Sequence, residues 1–168
     1  MRKILSVLFL FVASVAGFAQ GKYAGNYKNF IGKSYSDSKN IQGLSGWKYL
    51  EGTLLTETRD EEVITVNVFR KGTTRLILFS LKEDTASQEF VINDLLQVTS
   101  VQTGWTIKTA VCRDNKINNV WLVALAKETS SPVLKTIKKV WRFNPDKRRI
   151  EAIGIQQIDC LNEGEEQY

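Results

Sequence analysis

Histidine is missing from this chain of 168 residues, and methionine occurs only as the first residue. Without histidine there is no Ser-His or Cys-His nucleophilic pair, no histidine general base and none of the usual zinc hydrolase sites. Without further methionine there is no Met-rich adaptable binding surface. Any catalysis would have to depend on carboxylates, a Ser-Lys pair, tyrosine or arginine.

Long hydrophobic runs are also missing, apart from one near the N-terminus. Ile4–Ala16 is apolar, follows two basic residues and precedes the small-residue pattern Gly17–Ala19. This arrangement is typical of a secretory signal peptide, and the run falls short of the ~20 residues of a membrane helix. We therefore expect residues 1–19 to be removed and the mature chain to be periplasmic or secreted, with no membrane span.

Only two cysteines occur, Cys112 and Cys160, and they do not form a Cys-x-x-Cys motif. An even pair in an exported chain predicts a disulfide rather than a catalytic thiol or a metal site. By loop-closure entropy, a bridge over this separation is worth about 4 kcal/mol. We expect no metal and no cofactor.

The chain has no strong excess of either charge. It contains 23 Lys and Arg residues and 18 Asp and Glu residues, a net charge of +5 that includes Arg2 and Lys3 of the signal peptide. Proteins that bind nucleic acid usually carry a much larger basic excess on one face. Nucleic acid is therefore not an expected partner.

Short β-rich runs separated by polar turns dominate the sequence after Trp47. In one of them, Ile64, Val66 and Val68 alternate with polar residues, as in a strand that buries one face. The sequence predicts a single mainly β domain over residues 47–161, an antiparallel curved sheet or barrel-like meander.

Two segments flank this domain. Residues 20–46 are predicted to be a loop with one short amphipathic helix, and the polar residues 162–168 to be a flexible tail. The apolar residues whose spacing indicates the helix are Tyr23, Tyr27, Phe30 and Ile31.

Two strand predictions depend on side-chain alternation. Residues 90–98 are predicted as a strand rather than a short helix. Residues 105–112 are predicted as one strand with Trp105 and Ile107 on one face and Cys112 on the other.

Residues 132–141 fit two structures. Ser131 before Pro132 is typical of a helix start, and an α+β fold with a helix at about 132–141 is the alternative. We favour a strand from about residue 135 that returns through the turn at 144–147 into a second strand.

The densest charged feature is this predicted hairpin. It interleaves basic and aromatic side chains, and one interpretation is that it binds an anionic partner. The other is that its charged side chains are simply solvated and protect an edge strand from aggregation. The basic residues are Lys138, Lys139, Arg142, Lys147, Arg148 and Arg149. Trp47 is the tryptophan predicted to be exposed, and no catalytic residue is predicted.

A pattern near the C-terminus combines Cys112, the run Lys139–Pro145, Gly154-Ile155 and the run Asp159–Gly164. In this pattern the chain resembles small secreted bacterial proteins of unknown function. The resemblance implies that the cysteines and the Trp-Arg hairpin form one structural unit, and it implies no activity.

The expected function is that of an exported, non-enzymatic binding or accessory protein of the bacterial envelope, of the inhibitor or protective-partner type. Its partner would be another protein or an anionic envelope polymer. One alternative is a periplasmic hydrolase, which a pocket with two facing carboxylates or a lysine beside a serine would favour. The other is an electrostatic binder of anionic envelope polymers through residues 135–149.

Overall fold

The structure, a computed structural model, describes residues 22–55, 62–82 and 87–162. The predicted signal peptide and nearly all of the predicted tail lie outside the described residues. Strands dominate the rest, and the only helices described are two short 3₁₀ helices, Gly25–Phe30 and Ser38–Asn40. The predicted mainly β, antiparallel fold with a curved sheet is confirmed.

Thirteen strands occur among the described residues. They are β1 (Ser34–Tyr35), β2 (Lys48–Leu55), β3 (Val63–Lys71), β4 (Thr74–Lys82), β5 (Phe90–Val98), β6 (Trp105–Thr109), β7 (Cys112–Asp114), β8 (Ile117–Asn118), β9 (Leu122–Lys127), β10 (Val133–Leu134), β11 (Ile137–Asn144), β12 (Arg149–Ile153) and β13 (Ile158–Leu161).

The strands form three antiparallel sheets. Sheet A has the order β1-β5-β4-β3-β2, sheet B the order β12-β11-β9-β6, and sheet C the order β10-β13-β7-β8. The predicted meander is present, since β3 pairs antiparallel with β2 on one side and with β4 on the other.

The main core lies between sheets A and B. Val66 and Val68 of β3 are buried in it together with Trp141 and Phe143 of β11. The rings of Phe79 and Phe143 stack with centroids 4.6 Å apart and planes 9° apart, which joins the two sheets at the centre.

The N-terminal segment covers the opposite face of sheet A. Phe30, Ile41 and Leu44 pack there against Leu76 and Leu78 of β4. The predicted short helix is present as the 3₁₀ helix Gly25–Phe30, and the segment after it forms more than a loop, because β1 pairs with β5.

The residues predicted as one strand from 105 to 112 form two strands in different sheets. Ala110 has a φ of 61°, so the chain leaves sheet B after β6 and enters sheet C as β7. Ile107 and Cys112 nevertheless point to different cores, as predicted. Ile107 lies in the core between sheets A and B, and Cys112 lies in a separate core against sheet C.

Sheet C contains the predicted disulfide. Cys112 of β7 and Cys160 of β13 pair directly across the strands, bonded at 2.04 Å, and both are fully buried. They pack against Leu122 and Val140 of sheet B, so the bridge fixes sheet C on the outer face of sheet B.

The helix considered for residues 132–141 is wrong, because this segment forms β10 and the first part of β11. Val140 and Trp141 pair with Ala124 and Val123 of β9 and are buried in different cores on opposite faces of sheet B. Only a strand sends consecutive side chains to opposite faces.

Asp94 of β5 connects sheet A to sheet B. Its carboxylate is 1% exposed, and its two oxygens accept the N–H groups of Leu95 at 2.8 Å and of Ile150 on β12 at 2.7 Å. Burial raises the pKa of Asp94 above its ordinary value, and the two N–H groups partly oppose this rise. The buried Asp94 thus connects β5 of sheet A to β12, the edge strand of sheet B.

We expect Asp94→Ala to lower the free energy of unfolding by roughly 2–4 kcal/mol, because two buried N–H groups lose their acceptor. Asp94→Asn keeps one acceptor oxygen and should cost less. Urea unfolding at pH 7 measures both, with Asp114→Ala, at a less buried aspartate, as the control. If Asp94→Ala and the control lowered the free energy of unfolding equally, Asp94 would not connect the two sheets as described.

Candidate functional site

The basic residues predicted to bind an anion all lie on the β11–β12 hairpin and are all exposed. Three of them surround one carboxylate. Glu151 accepts from Lys147 Nζ at 3.1 Å and from Arg149 Nη2 at 3.3 Å. Arg142 Nη2 lies 3.6 Å from its other oxygen. The hairpin thus supplies a counter-ion for half of the predicted site.

The other three basic residues do not share a partner. Arg148 Nη2 pairs with Glu62 at 2.9 Å, and the ammonium group of Lys138 lies 5.4 Å from the ring centroid of Trp105. Lys139 is exposed and has no ion pair within the described part of the chain. The structure therefore brings the predicted cations to one hairpin but gives most of them internal partners.

The surrounding cations change the acidity of Glu151. Hydrogen bonds, first from Lys147 and then from Asn144 and Arg149, lower its pKa from 4.5 to about 2. This carboxylate stays ionised at neutral and mildly acidic pH, so it does not act as a general acid there.

A cleft of about 340 Å³ next to the hairpin has two acidic residues in its lining, Asp94 and Glu151. Carboxylate-based hydrolysis needs one group free to donate a proton and one free to attack or to activate water. Both oxygens of Asp94 accept backbone N–H groups, and cations hold Glu151. No serine hydroxyl bonds to a lysine among the residues described. This geometry does not favour the hydrolase alternative.

Trp47, predicted to be exposed, is half-buried. Its ring meets that of Tyr27 edge-on, with centroids 5.4 Å apart, and it packs against the outer core of sheet A. It therefore helps to hold the N-terminal segment on that sheet.

One edge of sheet A is formed by β2. This strand is the last in the sheet, and no other described strand pairs with its outer edge. Its burial contrasts with that of β3, because most of its residues are exposed, including Leu50 at 41% and Leu54 at 57%. An edge strand of this kind presents unpaired N–H and C=O groups to any extended segment that approaches it.

A cleft of about 210 Å³ opens beside β2 on the outer face of sheet A, and we call it the edge cleft. Three consecutive residues of β2, namely Gly52, Thr53 and Leu54, contribute to its lining. The rest of its lining consists of Tyr35, Ser36, Ser38, Tyr49, Thr65, Asn67 and Phe90.

Aromatic side chains form much of the wall of the edge cleft. The rings of Tyr35 and Phe90 stack, with planes 22° apart, and Tyr49 is fixed edge-on against Phe69. Burial raises the pKa of Tyr35 to about 12, so its hydroxyl stays protonated. That hydroxyl accepts a hydrogen bond from Asn67 Nδ2 at 2.8 Å.

Gly52 lets two polar groups of the cleft lie close to the backbone of β2. A Cβ on this residue would meet the Tyr49 hydroxyl and would stand 2.6 Å from Asn67 Oδ1, closer than real Cβ contacts allow. Only glycine permits this approach without movement of its neighbours.

Sequence reasoning missed this site because it depends on sheet order. The sequence predicts β-rich runs separated by polar turns after Trp47, but nothing local distinguishes an edge strand from a central one. The one signal available is Gly52, midway between Leu50 and Leu54, since a glycine inside a strand often marks a close approach of other groups.

No protein-family model, curated protein or solved structure matches this chain. The residues described include no helix long and apolar enough to cross a membrane. Within the same ranges, no group of three or more Cys, Asp or Glu side chains is arranged to hold a metal ion.

Because Glu151 is more acidic in the folded chain, its contribution to stability is present above pH 4.5 and is lost as the pH falls toward about 2. Glu151→Gln should therefore destabilise the protein at pH 7 and have little effect near pH 2. Thermal unfolding over this pH range measures the difference, with Glu89→Gln, at an exposed carboxylate, as the control. A Glu151→Gln effect that is independent of pH would contradict the ion-pair cluster.

Proposed function

We propose that this chain is an exported, non-enzymatic binding protein that recognises an extended segment of a partner protein. The segment adds to sheet A as a sixth strand alongside β2. Inhibition or protection of that partner is the role that fits this mode of binding, because a strand added at an edge covers the segment it captures.

The unpaired outer edge of β2, next to the edge cleft, carries this proposal. Strand addition uses main-chain hydrogen bonds for affinity and neighbouring pockets for side-chain specificity. Both elements occur together here, since Gly52, Thr53 and Leu54 belong to the strand and also line the cleft.

The protection that edge strands usually carry is limited to one half of β2. The register shift between Tyr49 and Glu51 disturbs pairing at the start of the strand. From Glu51 to Leu55 the pairing with β3 is regular, no proline occurs, and Glu51 bonds to Thr109 of sheet B at 3.1 Å. This half presents a regularly paired edge with the exposed Leu54, and β-augmentation needs an unprotected edge of this kind.

Export is supported by the disulfide between Cys112 and Cys160, since such bonds persist mainly outside the cytosol. The predicted signal peptide agrees with it. A binding site for an extended segment would then meet the unfolded or flexible parts of envelope and secreted proteins.

We expect Leu50→Lys with Leu54→Lys to weaken peptide binding at least about tenfold, because charges along an edge oppose strand addition. The probe is a set of linear peptides selected from a random phage-displayed library on the oxidised mature protein. Affinities are measured by biolayer interferometry.

Ile117→Lys is the matched control, since Ile117 is 72% exposed and lies in sheet C. It should leave binding unchanged. The proposal fails if the double variant binds like the wild type. It also fails if only Arg142→Gln, Arg148→Gln and Arg149→Gln abolish binding, because the hairpin would then hold the ligand.

A further inference from the structure

The geometry of the edge cleft points to a specific side chain in the docked segment. We infer that the cleft binds an uncharged side chain ending in a primary carboxamide, that of glutamine or asparagine. This inference rests on the proposed strand addition at β2, and it names what the adjacent pocket selects.

The lining of the cleft selects against charge. None of the ten residues that line it is a lysine, arginine, aspartate or glutamate. A carboxylate or an ammonium group buried there would find no opposite charge, and such burial is costly.

The floor of the cleft holds a free acceptor. Asn67 is 2% exposed, and its Nδ2 donates to the Tyr35 hydroxyl at 2.8 Å and to Thr65 Oγ1 at 3.5 Å. Asn67 lines the cleft, and no described residue donates to its Oδ1. A ligand that donates to this oxygen would therefore make a hydrogen bond without displacing one from the protein.

A second polar group faces the same space. The Tyr49 hydroxyl and Asn67 Oδ1 both approach the position that a Cβ on Gly52 would occupy. The hydroxyl can donate, whereas Oδ1 only accepts. The floor therefore offers one donor and one acceptor side by side.

A primary carboxamide matches this pair. Its NH₂ group would donate to Asn67 Oδ1, and its C=O group would accept from the Tyr49 hydroxyl. A carboxylate has no proton to donate, and an aliphatic side chain offers neither group. The methylene stem of glutamine would lie against the stacked rings of Tyr35 and Phe90, which form an apolar part of the wall.

The size of the cleft agrees with one side chain. Its volume of about 210 Å³ is below the ~300–1,000 Å³ of typical small-molecule sites. Because Gly52, Thr53 and Leu54 line its side, a residue of a strand paired with β2 reaches it directly.

Acetamide, the bare carboxamide, tests the cleft without any peptide. In a two-dimensional NMR titration it should shift the side-chain amide signal of Asn67 and the backbone signals of β2. Acetate at the same concentration should produce no comparable shift. Equal shifts from acetate and acetamide, or none from acetamide, would overturn the inference.

Two variants locate the effect. Tyr49→Phe removes one hydroxyl while the ring keeps its contact with Phe69, so acetamide affinity should fall roughly three- to tenfold. Gly52→Ala would displace the Tyr49 hydroxyl and Asn67 Oδ1 and should abolish the shift. Gly154→Ala is its control, since a Cβ there meets only Gln156 at 3.7 Å. An unchanged response in Gly52→Ala would place the acetamide site elsewhere and overturn the inference.

The selected library peptides separate the inference from the proposed function. Replacement of a cleft-bound glutamine by glutamate should lower affinity at least about tenfold on the wild type, and the difference should shrink on Tyr49→Phe. Peptides that bind at β2 without this preference would overturn the inference and leave strand addition intact. Failure of all peptides at β2, with acetamide still bound, would overturn strand addition alone.

Discussion

The buried carboxylate of Asp94 connects sheet A to sheet B on the β5 side of sheet A. It lies within β5 and accepts the N–H of Ile150, so β12 is held against β5. The N-terminal segment covers the same side, because Ile92 exchanges backbone hydrogen bonds with Gly32 and Lys33. These contacts close the β5 side of the sheet and leave its other edge, β2, open to an approaching chain.

The β11–β12 hairpin and sheet C are held by contacts within the chain. The cations of the β11–β12 hairpin surround Glu151, and the disulfide fixes sheet C against sheet B. Most of the basic side chains of the hairpin that is most conspicuous in the sequence are thus paired within the chain. The edge of β2 and the edge cleft differ from it, because backbone groups of β2 and the Oδ1 of Asn67 lack partners within the described chain. Unpaired groups of this kind gain most from a ligand.

Features encoded by neighbouring residues could be predicted from the sequence. The alternation of Ile64, Val66 and Val68 predicts β3, and the turn at 144–147 predicts the β11–β12 hairpin, both as found. The disulfide could also be predicted, because only Cys112 and Cys160 are present. In the segment at 132–141 the helix signal from Ser131 and Pro132 competed with strand pairing, and pairing with β9 prevailed.

Features that depend on distant residues could not be predicted. The change of sheet at Ala110 needs a left-handed conformation that alanine does not indicate. The role of Asp94 depends on Ile150, 56 positions away. The edge position of β2 follows from the order of all five strands in sheet A, so the candidate site could be found only from the fold.

Hydrogen exchange of the free mature protein at single-residue resolution tests the central claim most directly, namely that Asp94 closes one side of sheet A while β2 stays open. The account predicts that the amides of Leu95 and Ile150 exchange among the slowest, and that alternate amides from Glu51 to Leu55 exchange orders of magnitude faster than those of β4. Uniform slow exchange along β2, or fast exchange at Ile150, would contradict it.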